Sequence, residues 1–262
     1  MRRTVSAEIA LSVDEPARLA FIVAVAGATS AERLELTAAG RSVEPIELTD
    51  AAGSRIHVVD APAGPLALSY SAEVDGRRPA ATVQDVDLLT YLRPSRYCES
   101  DTLGATAAAE FAGLEGIALL DAVSSWVGTR LAYVPGSSGP TDGAVQTLLA
   151  RQGVCRDYAH LVIALLRGLD VPARLVAVYA PGLAPMDFHA VAEAYVDGAW
   201  HVVDATALAP RSTLLRISTG RDAADTAFLS SYGGAVTLES VEVSAVVDEL
   251  PDDDLTRLVE LR

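Results

Sequence analysis

Residues 153–168 have the sequence GVCRDYAHLVIALLRG, in which the segment Leu161–Leu166 is entirely apolar. Apolar residues cover nearly every face of this predicted helix, which ends before Gly168 and Pro172, so we expect it in the centre of a domain. Cys155 lies in its first turn, where unpaired backbone N–H groups and the helix dipole stabilise an anion. This position favours a thiolate nucleophile, with a packed structural cysteine as the alternative.

A thiolate nucleophile needs a histidine partner and a third group that orients the histidine. Residues 189–204, HAVAEAYVDGAWHVVD, contain Asp-Gly between two strand-like runs, which predicts a hairpin with a two-residue turn. In that register His189 and Asp204 are diagonal neighbours on one face, with Cβ atoms roughly 7 Å apart. His201 instead faces Ala194 on the other side of the hairpin. The predicted geometry therefore selects His189 with Asp204.

We predict structural roles for the other candidate side chains, which are His160, His57 and Cys98. His160 lies on the cysteine helix but about 140° away from the cysteine, so it does not share its face. His57 lies in the β-rich part of the chain. Cys98 precedes Glu99 and Asp101, and we expect these charges to raise the pKa of its thiol.

The organisation of the chain changes near residue 90. Residues 1–90 show short alternating strands separated by Gly, Pro and Asp turns at about ten-residue spacing, which predicts a β-sandwich-like domain. Residues 91–262 mix helical and strand patterns and form the second predicted domain. Individual predictions include the strands Thr4–Leu11, Leu19–Val25 and Val236–Val247 and the helices Thr102–Phe111, Leu114–Ala132 and Ala144–Ala150.

The composition limits the classes of partner and site. With 20 basic residues, all of them arginine, against 35 acidic residues, the net charge is −15. This argues against nucleic acid or an anionic membrane as a partner, because both require a basic surface. Two cysteines make no disulfide framework, and no apolar stretch of about 18 residues is present, so we expect a cytoplasmic protein. No ligand pattern supports calcium or another metal, and no cofactor is expected.

Several motifs together resemble bacterial transglutaminase-like proteins. They are GVCRDYAHL at 153–161, VPAR at 171–174, MDFHA at 186–190 and Asp204, with further similarity in LRPSRYCESD at 92–101 and GRDAAD at 220–225. The order Cys, His, Asp is also that of the family. The resemblance covers about residues 90–247, and the N-terminal β-rich part is similar to an extra domain often attached there.

The resemblance implies an α+β fold, in which a β-sandwich-like domain precedes a papain-like core with a central cysteine helix packed on an antiparallel sheet. It implies Cys155 as the nucleophile, His189 as the general acid and base, and Asp204 as the group that orients His189. The reaction is attack on an amide carbonyl of a protein or peptide, which gives an acyl-thioester. The backbone N–H of Cys155 and the side chain of Tyr133 are candidate donors to the oxyanion, although Tyr133 could equally be a packed aromatic residue.

Two positions depart from the family pattern. Val191 stands where the family commonly has tryptophan, and Ala205 stands where it commonly has proline; both positions are expected to line or support the groove. Three functions therefore stay open. The favoured one is an amidase or peptidase with water as the acyl acceptor, and the others are a transamidating transglutaminase and a catalytically silent interaction module with the same fold.

Overall fold

The computed structural model describes residues 1–80 and 83–262. The alternating N-terminal segment forms strand β1, Arg2–Val13, in which every second side chain from Val5 onward is buried, as the alternation predicts. The next strands are β2 (Ala17–Phe21), β3 (Ala31–Ala38), β4 (Arg41–Ser42), β5 (Ile46–Thr49), β6 (Arg55–Ala61) and β7 (Gly64–Asp75).

Helices and strands then alternate, with bounds close to those predicted. They are α1 (Asp85–Thr90), α2 (Ser100–Phe111), α3 (Gly116–Arg130), β8 (Ala132–Tyr133), α4 (Ala144–Ala150), β9 (Gln152–Gly153), α5 (Cys155–Arg167), β10 (Ala173–Tyr179), β11 (Phe188–Val196), β12 (Ala199–Val203), β13 (Leu215–Gly220), α6 (Ala223–Thr226), β14 (Leu229–Gly233) and β15 (Val236–Val247). Among the described residues no single helix is long and apolar enough to cross a membrane; α2 and α3, bent by 107°, meet that measure only as a pair.

Two antiparallel sheets form the sandwich, in the strand orders β15-β1-β7-β3-β4 and β14-β2-β6-β5. Ile9 and Leu68 from the first sheet and Leu19 and Val59 from the second belong to one apolar core. Both sheets include a strand from near the end of the described chain, because β15 pairs with β1 and β14 pairs with β2. Residues 229–247, which fall in the second predicted domain, thus contribute strands to both sheets of the sandwich. The division into residues 1–90 and 91–262 stays a prediction.

The second part of the fold is the predicted helix on an antiparallel sheet. The strands β12-β11-β10-β13 form the sheet, and α5 packs against β10 and β11. Helices α2, α3 and α4 pack against α5, which is buried at every position from Asp157 to Arg167. This arrangement confirms the α+β fold class and puts the first turn of α5 at the edge of the packed layer.

The predicted strand Leu19–Val25 is wrong in its second half, because β2 ends at Phe21. The apolar residues that follow are buried where the sandwich meets the sheet β12-β11-β10-β13. Their backbone groups form hydrogen bonds to side chains on both sides of this junction. The Tyr179 hydroxyl donates to the carbonyl of Val23 at 2.9 Å, and the N–H of Val25 donates to the Tyr70 hydroxyl at 2.9 Å. Burial between two layers, rather than strand pairing, explains the apolar run.

Candidate active site

The carboxylate of Asp157 fixes the start of α5 by a hydrogen bond to the backbone of Val154, the residue before the helix. Oδ2 of Asp157 accepts a hydrogen bond from the N–H of Val154 at 2.8 Å, and Oδ1 accepts one from the Ser138 hydroxyl at 2.9 Å. A Cβ at Gly153 would lie 2.7 Å from the Cβ of Asp157, so the position requires glycine. These contacts place Cys155 in the first helical turn, as predicted.

The β11–β12 hairpin has the predicted register. The turn Asp197–Gly198 has positive φ at both residues, as a two-residue hairpin turn requires, and Ala194 pairs with His201. Nε2 of His189 lies 2.9 Å from Oδ2 of Asp204, and both side chains are buried. The structure thus brings together the two residues that the sequence selects and places His201 at a different position.

Asp204 is held by a residue that the sequence reasoning missed. Oδ1 of Asp204 accepts hydrogen bonds from the backbone N–H of Thr206 at 2.9 Å and from its hydroxyl at 2.6 Å. Burial alone would raise the pKa of Asp204, but His189 and these two hydrogen bonds outweigh it and lower the pKa. The Asp-x-Thr spacing, typical of a local turn closed by the aspartate side chain, is the signal that could have identified Thr206.

His189 is oriented so that its second ring nitrogen is free for another partner. Burial acts to lower its pKa, but Asp204 and, to a smaller extent, Cys155 raise it to about 10. Nδ1 is buried and has no hydrogen-bond partner in the part of the chain that the structure describes. Because Nε2 bonds to Asp204, Nδ1 is the nitrogen left for the thiol of Cys155, which lines the same cleft.

Tyr133 lies beside the cysteine because β8 and β9 form a short parallel pair. Tyr133 pairs with Gly153, and the N–H of Val134 donates to the carbonyl of Gly153 at 3.0 Å. Burial and the neighbouring Cys155 raise the pKa of Tyr133 to about 12, so its hydroxyl stays protonated and able to donate. Tyr133 is still 41% exposed, so solvent reaches this residue beside Cys155.

A cleft of about 690 Å³ runs past Cys155 and His189 between the two parts of the fold. Part of the lining comes from the sandwich, and it also includes Phe188 and Phe228, whose rings stack with centroids 5.4 Å apart. The sandwich residues in the lining are Leu229 and Ser230 of β14, Leu238 and Val241 of β15, and Ile22, which directly follows β2. The β-sandwich therefore forms part of the groove in which a substrate would lie.

The remaining cysteine and histidines lie in structural positions, as expected. Cys98 is fully buried, and burial is the main cause of its raised pKa, with the carboxylate of Glu99 only a minor one. Nε2 of His160 accepts a hydrogen bond from the N–H of Ala223 at 3.1 Å, and burial lowers the pKa of His160 to about 3. Nε2 of His57 lies 3.1 Å from the carboxylate of Glu47 in the sandwich.

Neither of the two departures from the family pattern is in the lining of the described cleft. Val191 is 1% exposed and packs in an apolar cluster with Val178. The carbonyl of Ala205 would lie 2.7 Å from a Cβ at Gly128, so α3 approaches the backbone next to Asp204 closely.

Within residues 1–80 and 83–262, no group of three or more His, Cys, Asp or Glu side chains is arranged to hold a metal ion.

Comparisons with known proteins support the fold class. The family model for the transglutaminase-like superfamily matches residues 107–205. The chain is similar to the crystal structure of "a Putative Cysteine Protease" from Cytophaga hutchinsonii, with a TM-score of 0.89 and 32% identity over 99% of this chain and 96% of that chain. It is also 29% identical over 134 residues to ML0607 from Mycobacterium leprae, and this match spans 46% of the chain and 47% of that curated relative.

Proposed function

The chain belongs to the transglutaminase-like superfamily, and we propose that it is a cysteine hydrolase that cleaves an amide bond of a protein or peptide. The observation that carries the proposal is the hydrogen bond of 2.9 Å between Nε2 of His189 and Asp204, which leaves Nδ1 for Cys155 in a shared cleft. The arrangement has a nucleophile, a base and a group that orients the base.

In the proposed resting state the proton of the Cys155 thiol has already passed to Nδ1 of His189, whose raised pKa favours the imidazolium, and the thiolate then attacks the amide carbonyl. The backbone N–H of Cys155 and the hydroxyl of Tyr133 donate to the oxyanion that forms. His189 then returns the proton to the leaving amine as the C–N bond breaks, which gives an acyl-thioester. Asp204 stabilises the imidazolium and holds the ring in the tautomer that keeps Nδ1 free for proton transfer.

Water is the proposed acyl acceptor. A transamidating enzyme must keep water away from the acyl-thioester, whereas the residue Tyr133 beside Cys155 is 41% exposed. Water that enters from this side gives a proton to His189, and the resulting hydroxide equivalent attacks the thioester and releases the acid and the thiol. The exposed flank of the site therefore favours hydrolysis over transamidation.

Alkylation of Cys155 by iodoacetamide as a function of pH tests the proposal, with intact mass as the readout. All variants carry Cys98→Ser, so that a single thiol is measured. We expect rapid labelling below about pH 7 that is lost in His189→Ala and kept in the matched control His201→Gln. Labelling that begins only above about pH 8, as for an ordinary thiol, and that ignores His189 would contradict the proposal and support a silent module.

A further inference from the structure

The cleft beside Cys155 contains one carboxylate that the proposed reaction does not use. Asp187 lines the cleft two positions before His189, and its Oδ1 accepts a hydrogen bond from the N–H of Phe188 at 2.7 Å. Its charge also acts on the hydroxyl of Tyr133, so it lies near the candidate oxyanion donor. Asp187 is therefore close to the position that the scissile bond would occupy.

The other charged groups in the lining already have partners. The guanidinium of Arg156 lies 3.1 Å from Oδ1 of Asp157, and His189 bonds to Asp204. Asp187 has no ion-pair partner within residues 1–80 and 83–262. It is the one charged lining group of the described cleft without a hydrogen-bonded ion-pair partner, and the charge of His189 lowers its pKa only from a greater distance.

The surroundings of Asp187 favour a cation. The next side chain is the ring of Phe188, and apolar residues form most of the cleft walls. Asp187 is exposed enough to meet a ligand, and the apolar walls around it remove part of the hydration of its carboxylate, which raises its pKa. A positively charged group is attracted to this carboxylate, whereas a negatively charged group is repelled and a neutral one gains little.

We propose that Asp187 binds a positively charged amino group of the substrate, next to the amide that Cys155 attacks. This inference rests on the proposed function and names its substrate class, an amide-containing molecule with an ammonium group close to the reacting carbonyl. The ammonium group can belong to a peptide N-terminus or to a basic side chain, and the two differ in their distance from the carbonyl.

Charged thiol reagents test the inference without knowledge of the substrate. In the Cys98→Ser background, Cys155 is modified with methanethiosulfonates that carry a neutral methyl, a cationic aminoethyl or aminohexyl, or an anionic sulfonatoethyl group. Each rate is divided by the rate with the neutral reagent, so that changes in thiol reactivity cancel. We expect Asp187→Asn to lower the ratio of the cationic to the anionic rate by about five- to tenfold, and Asp187→Glu to retain it.

The matched control is Glu239→Gln, which changes the net charge equally. Glu239 is exposed on β15, at the irregularity in register between Leu238 and Ser240, and it does not line the cleft. We expect Glu239→Gln to leave the ratio within about twofold, because exposed charges are screened. A larger effect on the aminoethyl reagent indicates a terminal amino group, and a larger effect on the aminohexyl reagent indicates a basic side chain.

Equal ratios in Asp187→Asn and Glu239→Gln would overturn the inference, since the preference would then come from the overall charge. That result differs from failure of the proposed function, in which even the neutral reagent reacts slowly and His189→Ala has no effect. Asp187 is an exposed residue outside the strands and helices, and the charge-retaining Asp187→Glu separates loss of charge from loss of structure.

Discussion

Asp204→Asn replaces one oxygen of the site by NH2 and should put the imidazole proton on the wrong nitrogen. Thr206 donates two hydrogen bonds to Oδ1 of Asp204, at 2.9 and 2.6 Å, so that atom has to be an acceptor. The oxygen of the new amide therefore stays on Thr206, and its NH2 group donates to Nε2 of His189. Nε2 then has to accept, and the proton moves to Nδ1, where it blocks transfer from Cys155.

The size of the effect follows from the ionisation of an ordinary thiol. With a pKa near 8.5, such a thiol is about 0.3% ionised at about pH 6, so losing a thiolate–imidazolium pair reduces the reactive fraction by up to about 300-fold. A less acidic thiol gives a more nucleophilic thiolate, with a Brønsted slope of about 0.4–0.5, which offsets part of the loss. We therefore expect labelling at about pH 6 to slow by about tenfold.

The assay is alkylation by iodoacetamide followed by intact mass, in the Cys98→Ser background. The rate of Asp204→Asn should approach that of the parent at about pH 9.5, where both thiols are ionised. His201→Gln, which alters a buried histidine at a different position of the same hairpin, serves as the control. Labelling of Asp204→Asn at the parent rate at about pH 6 would refute the reasoning about the tautomer.

Three more predictions follow from individual contacts. Gly153→Ala should lower the free energy of unfolding by about 1–3 kcal/mol in urea titrations and slow the labelling of the active thiol, because the new Cβ would lie 2.7 Å from the Cβ of Asp157. Tyr133→Phe should slow hydrolysis of an activated ester by about 100-fold, with iodoacetamide alkylation, which forms no oxyanion, unchanged within about twofold. Because the pKa of His189 is raised to about 10, its protonation contributes to the free energy of unfolding. This contribution is fully present below about pH 6.5 and is lost as the pH rises towards 10. The lowered pKa of Asp204 gives stability that is present above about pH 4 and lost below it, so Asp204→Asn should differ most from the parent between about pH 4 and 6.5 in urea titrations across pH.

Short-range rules predicted the parts of the site that lie within one element. The Asp197–Gly198 turn fixes the hairpin register, and the register places His189 beside Asp204. The apolar sequence after Cys155 predicts a buried helix, and the helix is buried. In each of these cases the deciding interactions connect residues that are close in the sequence.

Features that depend on packing between distant segments could not be predicted in this way. The strand Val236–Val247 was predicted, but its pairing with β1 joins segments more than 200 residues apart and has no local signal. The acidic neighbours of Cys98 indicated a raised pKa for the wrong main reason, since burial, which a sequence does not display, is the larger cause. The part of the cleft wall formed by Ile22 and Leu238 likewise exists only once the sandwich packs on the sheet β12-β11-β10-β13.

The most direct test of the central claim is to trap the acyl-thioester. The Cys98→Ser protein is mixed with p-nitrophenyl acetate, quenched in acid after short times, and examined by intact mass and peptide mapping. The account predicts an acetyl group on Cys155 that forms quickly, disappears as water resolves it, and does not accumulate at this rate in His189→Ala. No acetyl group on Cys155, or one that forms equally fast without His189, would contradict the account.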